Sequence, residues 1–356
     1  MSAVPAPDAG PDAGAFWHFG DPFGEQRAAA DGAVVVDRSH RAVLTLTGAD
    51  RKPWLHSLST QHVSDLPDGA VVQNLSLDGQ GRVEDHWLQT QLDGRTVLDT
   101  EPWRGEPLMA YLRRMVFWAD VAVEPGDLAV LSLLGPQLLE TSVPEALGIS
   151  ALPPSGTAAA LPEGGFVRRL PSSGVEVDVL VPRTQAHALR DRLMTAGVRP
   201  AGVWAYEAHR VAQRRPRLGV DTDERTIPHE VGWIDSAVHL DKGCYRGQET
   251  VARVHNLGKP PRMLVLLHLE SDADRPVPGD PLQSGGRTVG RLGTVVDHVD
   301  EGVIALALLK RGLPAETALV TGGDVGVTAA IDADSMPPDI GVGAGRLAVE
   351  RLRGGA

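Results

Sequence analysis

Hydrophobic positions along the chain come in short runs separated by Gly, Pro and Asp, and the runs alternate between two periods. Residues 33–37 and 42–47 are β-branched and aliphatic, and they predict two strands joined by the polar turn Arg38-Ser39-His40. Gly48-Ala49-Asp50 then opens a helix through Leu58, with Pro53 in its first turn. Residues 69–83 predict a hairpin, because Asp78-Gly79-Gln80-Gly81 supplies two glycines and an aspartate at the turn, with Arg82 next. A strand follows at 97–100. A helix follows over 107–117, where Leu108, Tyr111, Leu112 and Met115 recur every three or four residues. The strand at 128–134, with Gly135-Pro136 and a helix after it, repeats the layout of 44–58, so two similar α+β subdomains are expected. Strands at 166–170 and 175–181 come next. Val175-Glu176-Val177-Asp178-Val179 alternates strictly and predicts one buried and one wet face. Helices are predicted from a Thr184 cap to Ala196, and over 204–213. Beyond Pro260-Pro261 the character changes. Short runs at 263–269, 288–296, 303–309, 317–320 and 325–331 between turn residues predict a small antiparallel barrel.

Composition narrows the classes. A chain of 356 residues exceeds one ordinary domain, and 42% hydrophobic residues suffice for sizeable cores. A net charge of −12 argues against a nucleic-acid partner. No apolar run approaches the length of a membrane span. Residues 1–30 read as a flexible tail, rich in Ala, Pro, Asp and Gly at its start, with Phe16-Trp17-His18-Phe19 as a plug that pins its end. The start lacks a signal-peptide pattern, and a reducing cytoplasm is the expected compartment. The single cysteine excludes a disulfide framework and a self-contained cysteine metal site, and no metal is expected.

That cysteine, Cys244, has glycines at 243 and 247, Lys242 two residues before it and Arg246 two after. Cations near a thiol favour the reactive thiolate. Alone, a single cysteine reads as a small buried hydrophobe. With Lys, Arg, Gln and Glu around it, the stretch reads as a tight turn that presents polar groups. Arg214, Arg215 and Arg217 read either as solvated helix-end cations or as an anion-binding rim. Asp221 to Arg225 reads as a charged loop. His229-Glu230 opens like a zinc-protease HExxH, but Trp233 stands where the second histidine belongs. The Gly341 to Gly345 run is not a dinucleotide fingerprint, and Arg346, Arg351 and Arg353 read as a solvated tail.

Lys242-Gly243-Cys244-Tyr245-Arg246-Gly247-Gln248-Glu249 resembles the K-G-C-Y-x-G-Q-E motif of the YgfZ family, and residues 250–258 fit it too. That family comprises folate-binding proteins of iron–sulfur cluster assembly or repair, within the superfamily of the glycine-cleavage T-protein, an aminomethyltransferase. The resemblance implies an α+β fold of two ferredoxin-like subdomains and a C-terminal antiparallel β-barrel, arranged as a ring around a central channel that holds tetrahydrofolate. It implies a folate-binding region over 31–258, a barrel over 259–356, and iron–sulfur client or assembly proteins as partners. It makes Cys244 the functional thiol, with Lys242 its neighbouring cation. Gln248, Glu249 and Tyr245 belong to the motif at the channel, and Asp78, Arg82, Trp233 and Arg253 are the candidates for lining it. A pterin needs carboxylate, amide or backbone partners, and its glutamate tail needs cations.

The chain departs from the T-protein where that enzyme's chemistry lies. The stretch Arg210-Val211-Ala212-Gln213-Arg214 carries alanine where the T-protein has a pterin-contacting glutamate, and Asp99 is a weak stand-in for its aspartate near the reacting nitrogen. Two functions are therefore weighed: a folate-dependent maturation factor acting through Cys244, and a folate-using aminomethyltransferase or demethylase.

Overall fold

The computed structural model describes residues 3–140, 142–171, 175–257, 259–271, 275–321 and 326–337. Contacts group the chain into two compact units. One comprises Met1–Ser57, His62–Asn74 and Asp85–His209, and the other Leu58–Gln61, Leu75–Glu84 and Arg210–Ala356. The motif region thus groups with the barrel and not with the α+β sheets that precede it.

The first unit is built on two sheets. Five strands run in the order Val71–Leu77, Val83–Leu92, Arg95–Thr100, Ala42–Thr47 and Ala122–Pro125, the first two leading into the second unit at the hairpin tip. Six run in the order Ala158–Ala160, Phe166–Arg169, Glu176–Pro182, Leu128–Leu134, Val34–Asp37 and Arg199–Ala201, the last pair parallel. Val43, Leu92 and Val97 of one sheet share a core with Val130, Phe166 and Leu180 of the other.

Several expectations change here. Strands 34–37 and 42–47 do not pair; each joins a different sheet. The polar turn between them forms as expected, the Arg41 amide donating to Arg38 O at 3.0 Å, and its arginines are buried: Arg38 donates to Ser132 Oγ and lies 3.8 Å from the Tyr206 ring, while Arg41 reaches the Asp99 carboxylate. The described part of the 1–30 segment is packed and not a flexible tail. Val4–Pro5 pairs with Phe16–His18, Asp21 caps the helix Pro22–Asp31, and Ala6, Ala15, Ala28 and Ala29 sit in a core with Val34, Val36 and Tyr206. Alanine runs resemble linkers in composition, yet small side chains let a segment lie close on a sheet. The strand Glu176–Pro182 is buried on both faces, because Glu176 accepts from the Tyr206 hydroxyl and Asp178 pairs with Arg168. The helix expected from Thr184 begins instead as a 3-10 turn, Arg183–Gln185, and continues as Ala186–Thr195.

In the second unit, six strands close into a barrel in the order Arg262–Glu270, Gly302–Lys310, Arg287–His298, Pro281–Ser284, Leu319–Thr321 and Val327–Ile331, the last pairing back to the first. Met263, Val265, Leu267 and Leu269 enter the barrel core at alternate positions, as a strand period of two requires. The strand Pro281–Ser284 carries too few apolar residues to announce itself in sequence. Asp221, expected in a charged loop, is buried: it accepts from Arg210 Nη1 at 2.8 Å, the Arg217 amide at 2.7 Å and the Thr294 amide at 2.7 Å. Arg217 is buried as well, so the three-arginine cluster is not a uniformly solvated patch. Residues 341–345 with Arg346, Arg351 and Arg353, and Gly258 at the motif's end, lie outside the described residues. No helix among the described residues is long and apolar enough to cross a membrane.

Candidate functional site

The motif forms a loop held by Lys242, Tyr245, Arg246 and Gln248, with Gly243, Cys244 and Glu249 left exposed. It leaves the helix Trp233–Ala237 and enters the helix Gln248–Leu257. Thr60 fastens its approach: the Thr60 hydroxyl donates to Ala237 O at 2.6 Å, and the His239 amide donates to Thr60 O at 3.0 Å. Lys242 is buried, and its ammonium donates to Ser59 O at 2.6 Å and Gln61 O at 3.0 Å. Burial pushes this amine down to about 8. The Gln248 amide donates back to Lys242 O at 3.1 Å, closing the loop on itself. Tyr245 joins the core of Leu75, Leu77, Val83, Trp233 and Val251, and burial raises its phenol to about 12. Arg246 pairs with Glu84 at 2.9 Å.

Two glycines let the loop meet the hairpin tip. Gly247 has φ +84°, and a Cβ there would stand 2.6 Å from Asp78 O and 2.9 Å from Gly81 Cα. Only glycine combines that backbone with that approach. Gly243, in contrast, has open space where its Cβ would be. Cys244, beside it, is an exposed free thiol.

The expected binding residues divide by what the fold asks of them. The Asp78 carboxylate accepts from the Gln80 and Arg82 amides, both at 2.8 Å, and so builds the hairpin turn. Trp233 and Tyr245 are core, and Gln248 holds the loop. Arg82, Glu249 and Arg253 are left, with no side-chain bond to any described residue; Glu249 and Arg253 are exposed on the helix Gln248–Leu257. Lys242, expected as the thiol's cation, has its ammonium on carbonyl oxygens. Among the described residues no group of three His, Cys, Asp or Glu side chains is placed to hold a metal.

Sequence reasoning missed a charged network inside the first unit. Arg168 opposes Asp178 across the antiparallel ladder and bonds it at 2.7 Å; it also meets Asp99 at 2.5 Å, and Asp99 in turn meets Arg41 at 2.9 Å. Arg168, Asp178 and Asp99 are fully buried. Burial alone would raise the Asp99 carboxyl, but the guanidinium groups of Arg168 and Arg41 overcome it and hold it below the usual carboxylate range. The only sequence signal was an aspartate or arginine among apolar strand residues.

Beside this network, burial and then Arg41 push His86 down to about 4. The folded state therefore refuses a proton that the unfolded chain accepts, so stability falls as pH drops from about 6.5 to about 4, by up to about 1.4 kcal/mol per pH unit. In urea titrations across that range, a His86→Gln variant should show a shallower loss than the parent. Identical pH profiles would contradict the assignment.

No known family profile matches the chain. It is 30% identical over 244 residues to an aminomethyltransferase of Stenotrophomonas maltophilia, covering 64% of each chain. It is 25% identical over 274 residues to a chloroplastic protein of Arabidopsis thaliana whose name says no more than transferase, covering 74% of this chain and 61% of that one. The matched region thus spans about three fifths of the length of these relatives. Among solved structures, the glycine cleavage system aminomethyltransferase T of Bartonella henselae superposes with a TM-score of 0.81 at 17% identity, covering 93% of both chains. The chain has the aminomethyltransferase fold. This agrees with the expected mixture of α+β sheets and a closed antiparallel barrel.

Proposed function

We propose that this protein binds tetrahydrofolate and assists assembly or repair of iron–sulfur clusters in client enzymes through the thiol of Cys244, as the resemblance of its motif to the YgfZ family implies. The observation that carries this reading is the exposure of Cys244 on a loop held by Lys242, Tyr245, Arg246 and Gln248 on either side of it. A chain that fixes Lys242, Tyr245, Arg246 and Gly247 while leaving the thiol in solvent presents it to something larger than a core. A single thiol cannot hold a cluster alone, so a cluster role needs glutathione or a partner protein as co-ligand.

The residues left uncommitted suit a reduced folate in kind. Arg82 and Arg253 offer guanidinium groups for tail carboxylates, and Glu249 offers a carboxylate for a donor edge. When bound, a reduced folate supplies a carrier for one-carbon units. This chain's own residues would bind and orient it.

The alternative, an aminomethyltransferase or demethylase, draws support from the relatives' names. Two features count against it. Ala212 replaces the glutamate, and Asp99 is held by Arg41 and Arg168 in a fully buried network, where it cannot stabilise charge on a substrate nitrogen.

In cells lacking the protein, the wild-type chain should restore iron–sulfur enzyme activities and Cys244→Ala, expressed at equal level, should not. Equal restoration by the variant would remove the thiol from the mechanism.

A further inference from the structure

A cavity of about 810 Å³ lies wholly within the second unit, apart from the thiol loop. Its wall includes His229, carried on the 3-10 turn Pro228–Glu230. That turn is held firmly. Glu230 Oε2 accepts from the Ile227 amide at 3.0 Å, and both Glu230 oxygens accept from Arg262 at 2.8 Å. The ring so fixed has neither nitrogen bonded to any described residue, and both nitrogens are shielded from solvent. Burial, then His255, pushes His229 down to about 4, so at neutral pH the ring carries one donor and one acceptor. Buried polar atoms are almost always paired, and an exception calls for an explanation.

The rest of the wall indicates what would pair with it. The His255 ring lies 6.1 Å from that of His229, and Met263, Met336 and Ile234 supply apolar surface. Thioethers and imidazoles favour a flat aromatic neighbour. Half-buried Arg311 reaches the same cavity with no side-chain bond to any described residue. Arg214 is also at the cavity, donating to Asp334 O at 3.0 Å. Two exposed carboxylates, Asp235 and Asp334, offset these two guanidinium groups. The wall therefore has no excess positive charge for a phosphate ester, and it suits a single carboxylate placed on Arg311.

We infer that this cavity is a binding site for a small planar heteroaromatic carboxylate, which hydrogen-bonds His229 through its ring and pairs with Arg311 through its acid group. The site is separate from the residues proposed for folate and does not rest on that proposal. A ligand there would bear on the turn of His229 and the helix of His255, the latter being the helix that follows the thiol loop.

Quinoline-2-carboxylate is a suitable probe, titrated calorimetrically into the full-length protein. One site is expected, its affinity unchanged by saturating tetrahydrofolate. Arg311→Gln should weaken it at least tenfold and His229→Phe, which keeps a ring but removes both nitrogens, about fivefold. Side-chain nitrogen NMR of the unsubstituted protein reads the same contact without a variant, since the His229 resonances should move on titration. No binding by the full chain, binding only by a chain ending at Pro337, equal affinity in Arg311→Gln, unmoved His229 resonances, or competition by tetrahydrofolate would each overturn the inference.

Discussion

Asp99→Ala is expected to lower the stability of the first unit by about 3–5 kcal/mol, the range for removing one member of a buried ion pair. The reason is what it leaves behind. The Arg168 side chain is fully buried and that of Arg41 is 6% exposed, and both lean on the Asp99 carboxylate, Arg168 at 2.5 Å and Arg41 at 2.9 Å. Asp178 still faces Arg168 and Glu101 still faces Arg41, which keeps the loss within that range. A typical domain has only about 5–15 kcal/mol in total, so the variant should sit near its unfolding limit at room temperature. Asp99→Asn, which keeps an acceptor but not the charge, should fall between the variant and the parent. Urea unfolding followed by a probe in the first unit measures this, and a loss below about 1 kcal/mol would mean that water reaches the network.

Gly247→Ala carries the second large effect. A left-handed backbone costs a non-glycine residue about 1–2 kcal/mol. Overpacking against backbone atoms that cannot rotate away adds about 1–3 kcal/mol. The new methyl would meet Asp78 O and Gly81 Cα, both in the hairpin turn. The loop must therefore part from the hairpin tip, and the rate at which a thiol reagent modifies Cys244 should change with it. Gly243→Ala is the matched control, because open space surrounds its Cβ position; it should leave both stability and thiol rate close to the parent. Equal behaviour of the two variants would show that the glycine contact does not position the loop.

What could be read from sequence was whatever depends on local pattern. Five of the six barrel strands, the hairpin turn at Asp78-Gly79-Gln80-Gly81 and the tight polar turn around Cys244 follow from period, turn chemistry and the polarity of near neighbours. What could not be read depends on partners that only the fold brings together. Asp178 looked wet because its strand alternates, but Arg168 and Ser132 on neighbouring strands neutralise and bond it. Lys242 looked like a cation for the thiol two residues away, but its ammonium turns to carbonyls of residues 59 and 61. Asp221 looked like a loop charge and is the buried acceptor for Arg210. In each case burial followed from a complementary group on another element, which the pattern of the residue's own segment does not show. The six-stranded sheet shows the same limit: strands 34–37 and 42–47 are neighbours in sequence and part company because each finds better partners elsewhere.

We propose a division of labour in the second unit, in which folate is held by charged side chains without bonds to described residues and Cys244 is left for chemistry. Calorimetric titration with tetrahydrofolate of the parent, Cys244→Ala and Arg253→Ala tests this most directly. Parent and Cys244→Ala should bind alike, and Arg253→Ala should bind several-fold more weakly. Absence of binding by every form would contradict the account, as would loss of binding on removing the thiol alone.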